Sequence, residues 1–363
     1  MSSSASSPNA FSGAAGCPGP THGIYRNLHA REFPESVSLV FPMFNEEQVL
    51  AALRAEVTAF IDQLPTRIEV VLVDDGSTDQ TLALAVDWSR ADARVRVLQL
   101  ARNFGHQAAA TAGLDFASGE AVVLMDADLQ DPPPVVSEMI QRYCEGYDVV
   151  YGQRGVRRGE TPMKRLTAWL FYRLMRKFVY KHLPVDTGDF RLMSRVCLDA
   201  LKRMHETHRF LRGMVAWIGF PQCSVVYERA ARLAGTTKYP LKKMLSFAWT
   251  AATSFSILPL RISLYLSVLA SIFGVEEASR ALLARLLGHV VPGWTSLMIV
   301  TSLIGSAILF CMAILGQYVG LIYEQSKERP LYLVSHLFCS REHEQKPSCE
   351  QNAEVGLCQV LIR

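Results

Sequence analysis

The sequence predicts an α/β fold, a mainly parallel sheet with helices on both faces, followed by a two-helix membrane hairpin. Three observations carry this expectation. Short apolar runs alternate with helix-period segments from Val37 to Gly152. Acidic motifs stand where two of those runs end, at Asp74-Asp75 and Asp126-Ala127-Asp128. The stretch from Thr295 to Tyr323 holds no charged residue and exceeds the roughly 20 residues a helix needs to cross a bilayer.

The first 30 residues are rich in Ser, Ala, Gly and Pro and lack the basic start and apolar core of a secretory signal, so 1–35 is expected to be a disordered tail. Val37–Phe41 reads as a strand closed by Pro42, and Glu46–Gln63 has helical spacing. Glu69–Val73 is a Val-rich strand. Thr78–Trp88 follows as a helix, with Ser77 as its expected N-cap. Val95–Leu100 and Gly105–Phe116 repeat the pattern. Ala121–Met125 is a buried strand running into Asp126, Pro132–Tyr143 is a helix opened by prolines, and Asp148–Tyr151 is a fifth strand. In such sheets ligands bind at the carboxyl ends of the strands.

Thr161–His182 interleaves Lys164, Arg165, Arg173, Arg176, Lys177 and Lys181 with Trp169, Phe171 and Phe178, which suits a helix lying on a membrane surface. A surface helix packed on the sheet is the plainer alternative. The sheet domain is expected over 36–240, an interfacial helix over 241–260, a hairpin over 261–324 and a cytoplasmic tail over 325–363. Lys242, Lys243 and Arg261 precede the apolar region, and Lys327, Arg329 and Arg341 follow it; positive flanks favour the cytoplasmic side. An even number of crossings follows. The first must then run from Ile262 to about Leu287 despite Glu276, Glu277, Arg280 and Arg285, with His289–Trp294 as the outer loop.

The 37 Lys and Arg against 34 Asp and Glu give a net charge of +3, which provides no signature of nucleic-acid binding. Eight cysteines show no C-x-x-C spacing, so reduced thiols are expected rather than a zinc site or disulfide framework. There is no G-x-G-x-x-G after the first strand and no P-loop.

Asp126 and Asp128 close a buried strand, where unpartnered carboxylates are costly. A divalent cation resolves that cost, since oxygen ligands suit Mg²⁺ or Mn²⁺, and it can neutralise a departing diphosphate. Asp74-Asp75-Gly76-Ser77 offers carboxylates to a base or ribose, or serves as a capping turn.

These motifs, in order, resemble a family. Pro42-Met43-Phe44-Asn45-Glu46-Glu47, Asp74-Asp75-Gly76-Ser77-Thr78-Asp79, Arg102-Asn103-Phe104-Gly105 and Asp126-Ala127-Asp128-Leu129-Gln130-Asp131-Pro132-Pro133 look like glycosyltransferase family 2 with a GT-A fold. Tyr151-Gly152-Gln153-Arg154, Asp186-Thr187-Gly188-Asp189-Phe190-Arg191-Leu192, Gly235-Thr236-Thr237-Lys238-Tyr239 and Arg329-Pro330-Leu331-Tyr332 extend the likeness to the polyisoprenyl-phosphate glycosyltransferases, which include bactoprenol glucosyltransferases and dolichol-phosphate mannose synthases. It spans about Ser36 to Val334.

The resemblance implies a metal-dependent inverting transferase in the cell inner membrane, multi-pass with its catalytic domain cytoplasmic. It would move one hexose, UDP-glucose being the first expectation and GDP-mannose the alternative, onto undecaprenyl or a related polyisoprenyl phosphate. Pro42, Phe44, Glu46, Asp74, Asp75, Asp126, Gln130 and Arg154 would bind the nucleotide-sugar; Asp126, Asp128 and Gln130 would hold Mg²⁺ or Mn²⁺. Arg229, Arg232 and Lys238 would meet the lipid phosphate. Asp128 and Asp189 are the catalytic candidates, Asp189 either as a base or as a residue orienting Arg191 or the acceptor. His106 reads as an ordinary helix-start histidine. The implied partners are the donor, the lipid acceptor, the bilayer, and a downstream flippase and acceptor glycosyltransferase; a homo-oligomer stays open and nucleic acid is not expected. A processive synthase is disfavoured because no Arg-Trp pair occurs, and a non-catalytic membrane scaffold because the acidic motifs are intact.

Overall fold

A computed structural model describes residues 28–154, 187–207, 209–228, 258–287 and 294–339. The amphipathic helix expected over 161–182, the segment 241–257, Arg229, Arg232, Lys238, the turn 289–293 and the outer parts of both tails lie outside the described residues.

The sheet begins with β1 (Ser36–Met43), β2 (Arg67–Asp74), β3 (Val95–Leu100) and β4 (Ala121–Leu124), and continues with β5 (Val149–Arg154), β6 (Thr187–Ser194), β7 (Gln222–Tyr227) and β8 (Val334–Phe338). Their spatial order is β7-β5-β6-β4-β1-β2-β3-β8. β1 pairs in parallel with β2 and β4, β2 with β3, and β5 with β7. β6 runs antiparallel to β4 and β5, and β8 antiparallel to β3. The α/β fold expected from the alternating pattern is therefore present.

The central strands are buried on both faces, which is why they read as continuous apolar runs. Within them the pleat still sorts side chains. Val37, Leu39, Phe41 and Met43 of β1 join a core made with α1 (Glu47–Ile61), α2 (Thr81–Ala91) and α4 (Val135–Cys144). Val40 faces a second core, built with α3 (His106–Phe116), α5 (Arg195–Lys202) and α6 (Leu211–Ile218). Helices thus cover both faces, and loops together with the first turns of α3 and α6 reach the strand ends.

Three local expectations need correction. α2 starts at Thr81, three residues later than Thr78, and Ser77 does not cap it. Instead Ser77 Oγ accepts the Asn45 N–H at 3.0 Å, because the 75–80 turn folds back over the end of β1. α4 starts at Val135, so the prolines form a turn before the helix. Residues 28–35 of the expected tail pack on the domain: Arg31 donates to Asp148 at 2.8 Å and its N–H to the Cys144 carbonyl at 2.7 Å.

Two long helices follow, α7 (Leu258–Leu286) and α8 (Trp294–Ser326). Pro259 sits in the first turn of α7, where a missing N–H costs nothing. The helices are antiparallel, since Cys311 Sγ meets the Ser263 carbonyl at 3.5 Å while Gly274 lies opposite Ile304. Large apolar side chains point outward, among them Leu269, Ile272, Leu309, Met312 and Ile322. Leu303–Ser326, with 24 residues, is long and apolar enough to cross a membrane, and Ser263–Glu276 is a shorter apolar stretch. The expected Glu–Arg pairing appears in α7, where Arg280 meets Glu276 at 3.4 Å.

After α8 the chain returns to the sheet. The sequence reading leaves 325–363 as a tail, yet Val334–Phe338 forms β8. A five-residue edge strand with two charge-free exposed positions carries too little alternation to be read beforehand. Tyr332 anchors the return, its hydroxyl donating to Asp115 Oδ2 at 2.8 Å.

Candidate active site

The carboxyl ends of β1 to β5 lie at one rim, as does the amino end of antiparallel β6. The β4–β6 ladder pairs Leu124 with Arg191, and continuing that register brings Asp126 opposite Asp189. The acidic motifs therefore converge through topology, not through sequence proximity.

On the β1 and β2 side the loops are stitched together. The Thr78 N–H donates to Asn45 Oδ1 at 2.8 Å, the Glu46 N–H to Thr81 Oγ1 at 2.8 Å, and the Gln80 N–H to Glu47 at 3.0 Å. Asn45 takes a left-handed conformation, φ 55°. This leaves Phe44 exposed on the rim and Glu46 half-buried at the start of α1, whereas Pro42 is buried in the ladder opposite Val73. Pro42 thus shapes the strand end and presents no polar group.

Asp74 and Asp75 are buried. Burial raises both carboxyls, against hydrogen bonds that favour the ionised form. Asp74 accepts the Ser77 N–H at 3.3 Å. Asp75 accepts the Phe104 N–H at 2.7 Å on one oxygen and the Gly105 N–H at 2.9 Å on the other. Its carboxylate thus ties the 102–105 loop to the 74–77 turn. Gly76, at φ +70°, makes that approach possible: a Cβ there would lie 2.7 Å from the Arg102 carbonyl carbon and the Asn103 nitrogen.

Past β4 the chain turns sharply. Leu129 is held at φ 56°, an uncommon state for a branched side chain and a mark of local strain. The turn keeps Asp126 and Asp128 half-buried at the rim and folds Gln130 inward. Asp128 Oδ1 accepts the Gln130 N–H at 3.2 Å. Asp131 is buried and takes a short hydrogen bond from the Tyr227 hydroxyl, which fastens this loop to β7. Burial, only partly opposed by His106, pushes the Asp126 carboxyl up to about 6.

A metal fits here on two grounds. The Gln130 Oε1 is buried with no hydrogen-bond partner among the described residues, and Asp126 is a carboxyl whose ionised form burial disfavours. Among the described residues no three His, Cys, Asp or Glu side chains gather into a closed cage. Such an arrangement suits a cation that takes one or two carboxylates and completes its shell with substrate phosphate and water.

Asp189 is buried and heavily contacted. Arg212 donates to both its oxygens, at 2.8 and 3.2 Å; Gln107 donates to Oδ2 at 3.2 Å, and His106 Nε2 lies 3.2 Å from the same oxygen. Burial opposes its charge, but Arg212 and His106 outweigh burial and hold the carboxyl well below the usual range. His106 also lies 3.6 Å from Asp126; burial works against its protonation, yet the Asp189 hydrogen bond and the two carboxylates raise it. Arg191 does not pair closely with this carboxylate. Its guanidinium donates to the Asp189 and Gly188 carbonyls at 3.2 and 3.1 Å, and burial pushes it down to about 10.

Arg212, Gln107 and Tyr227 are missing from the sequence reading, and His106 is undervalued in it. Each reaches the rim from an element remote in sequence, so no local spacing marks them. Arg154 ends β5 at the same rim; its side chain lies outside the described residues, as do Arg229, Arg232 and Lys238.

The model of the family described as "Glycosyl transferase family 2" matches residues 38–201. An uncharacterised glycosyltransferase of Bacillus subtilis is 43% identical over 82% of this chain and 92% of its own. A bactoprenol glucosyl transferase of Shigella phage SfV is 36% identical over 83% of this chain and 98% of its own. Among solved structures, glucosyl-3-phosphoglycerate synthase from Mycobacterium tuberculosis is similar at 19% identity and TM-score 0.40, over 60% of this chain and 78% of that one.

Proposed function

Since the chain belongs to glycosyltransferase family 2, we propose that it transfers a single hexose, with UDP-glucose as donor, to a polyisoprenyl phosphate such as undecaprenyl phosphate. The transfer inverts the anomeric carbon and takes place at the cytoplasmic face of a membrane. One observation carries this reading. The acidic rim is also the end of the sheet at which β7 leaves toward α7 and β8 returns from α8. The chain returning from α8 thus meets the strand-end rim, where the Ala101 N–H donates to the Leu333 carbonyl at 2.8 Å, and a lipid-borne acceptor would be delivered on that side. The 36% identity to a bactoprenol glucosyl transferase supports the same acceptor class.

Asp126, Asp128 and Gln130 would hold Mg²⁺ or Mn²⁺, which when bound neutralises charge on the departing diphosphate. Glu46, Asp74, Asp75 and Phe44 line the β1–β2 side, suited to the nucleoside. Asp189 serves as an orienting residue. Its low proton affinity and its four contacts suit holding Arg212 and His106 in place, and a phosphate acceptor is already ionised near neutral pH, so no strong base is needed. Arg154 would meet the phosphates of the donor, and Arg229, Arg232 and Lys238 would supply cations for the acceptor phosphate. In-line attack by a phosphate oxygen on the anomeric carbon then expels the nucleoside diphosphate.

The test is to incubate membranes containing the protein with a panel of nucleotide-sugars, UDP-glucose and GDP-mannose included, and undecaprenyl phosphate. The lipid product is read by mass. A hexose added to the lipid phosphate, dependent on UDP-glucose, is expected. Donor consumption with no lipid product would defeat the acceptor assignment.

A further inference from the structure

We infer that Gln325, in the last turn of α8, is a positioning residue that holds Arg212 on Asp189 and so couples the apolar helix pair to the reacting rim. This rests on the lipid-acceptor reading above for its purpose, though not for its geometry.

Gln325 makes three hydrogen bonds to one short segment of the sheet domain. Its Nε2 donates to the His205 carbonyl at 2.5 Å, and its Oε1 accepts from the Thr207 N–H at 2.9 Å and the Thr207 hydroxyl at 2.7 Å. The contacts bridge about 120 residues of sequence. Only a carboxamide supplies a donor and a two-fold acceptor in one plane, and Asn lacks the reach. The neighbouring part of that segment is braced from inside as well, because the Arg209 guanidinium donates to the Met204 carbonyl at 2.6 Å.

The segment leads straight into α6. The first N–H groups of a helix need outside partners, and here the Leu211 N–H donates to Gln107 Oε1 at 3.0 Å. The next residue, Arg212, makes the paired contact with Asp189. Gln107 spends its other end on the same carboxylate. The α6 start is therefore located by Gln107 and Asp189 on the rim side, and the chain ahead of it is held by Gln325 at His205 and Thr207 on the helix-pair side. Thr207 precedes Arg212 by only five positions in sequence, so a shift of α8 relative to the sheet would act close to Arg212. Tyr332, which also links the post-helix segment to the domain, donates to Asp115 at the far end of α3.

The experiment uses the full chain in detergent or nanodiscs, comparing wild type with Gln325→Ala, Gln325→Glu and Arg212→Ala. Two readouts are taken: hydrogen exchange of peptides covering 204–218, and kcat and KM for UDP-glucose and for undecaprenyl phosphate. Gln325→Ala is expected to speed exchange at 205–214, to lower kcat about tenfold and to leave the UDP-glucose KM within about twofold. Gln325→Glu keeps the acceptor for Thr207 and loses the donor to His205, so it should fall between the two. In the Gln325→Ala/Arg212→Ala double variant the losses should not add, since both act through Arg212. Unchanged exchange in Gln325→Ala overturns the tether whatever the activity. Faster exchange with wild-type kcat, or strictly additive losses in the double variant, overturns the positioning role. If the wild type transfers nothing to any polyprenyl phosphate, the acceptor reading fails on its own, and exchange still decides the tether.

Discussion

Asp189 shows how a single carboxylate acquires its role from partners far away in sequence. Its lowered proton affinity makes Arg212 the group that keeps it charged inside the domain. Arg212→Leu leaves that charge buried without its main partner and should cost about 3 kcal/mol at pH 7. Because the folded carboxyl lies well below 3.8, Asp189 contributes stability that is fully present above 3.8 and is lost as pH falls from there through the folded carboxyl's own lower value. The deficit of Arg212→Leu should therefore be full near neutral pH and shrink as pH falls below 3.8, as thermal unfolding in detergent at neutral and acid pH would reveal; a constant deficit would mean that Arg212 acts by packing alone. At Asp126 and Asp128 the proposed chemistry is metal-borne: Asp126→Ala or Asp128→Ala should lower transfer at least about a hundredfold with the fold retained. Excess EDTA should abolish transfer, and added Mg²⁺ or Mn²⁺ restore it. Full turnover in EDTA would remove the metal from the reaction. These two aspartates were legible in sequence because a strand end and a D-x-D spacing announce them. Asp189 was legible as a candidate, but the sequence leaves a base and an orienting role open, because Arg212, Gln107 and His106 reach it only in the tertiary structure.

At the level of elements, the first five strands were readable, while β6, β7, β8 and the helix caps were not. Burial on both faces gives β1, β2 and β4 unbroken apolar sequences, so their existence follows from composition. The start of α2 depends instead on Asn45 and Thr81 reaching across between loops, and a propensity for Ser at an N-cap cannot anticipate that competition. The same stitching makes Gly76 sensitive. Gly76→Ala forces a Cβ against the backbone of residues 102 and 103 and should destabilise by more than about 2 kcal/mol. It should also weaken nucleotide binding, which calorimetric titration with UDP would measure, because Asp75 and the 102–105 loop move with it. Tyr332→Phe removes one hydrogen bond to the half-buried Asp115 and should cost about 1 kcal/mol without altering kcat. A large loss of kcat there would mean that the return of the chain to β8 is part of the reacting site.

The whole molecule is a sheet with a helix hairpin inserted between its seventh and eighth strands. The flanking Lys and Arg residues predict an even number of crossings; α7 and α8 pack antiparallel, and Leu303–Ser326 alone among the described helices is long and apolar enough to cross a membrane. At 29 residues α7 spans about 44 Å, enough to cross a hydrocarbon core even though its apolar part, Ser263–Glu276, is shorter. Reporter fusions at residue 290 and at the C-terminus should put the first outside and the second in the cytoplasm; a C-terminal reporter active only outside would leave one crossing. The position of β8 also sets a timetable for synthesis. Leu100 emerges from the ribosome 234 residues before its partner Val334, an interval on the order of 10–50 s at ordinary translation speeds. Throughout that interval the outer edge of β3 offers unpaired N–H and C=O groups to any passing strand. A hairpin that inserts into lipid, as proposed, would do so before the sheet is finished. A nascent chain whose insertion stalls would carry an open edge in the cytosol, and its fate would be decided by chaperone and protease before it ever met a sugar.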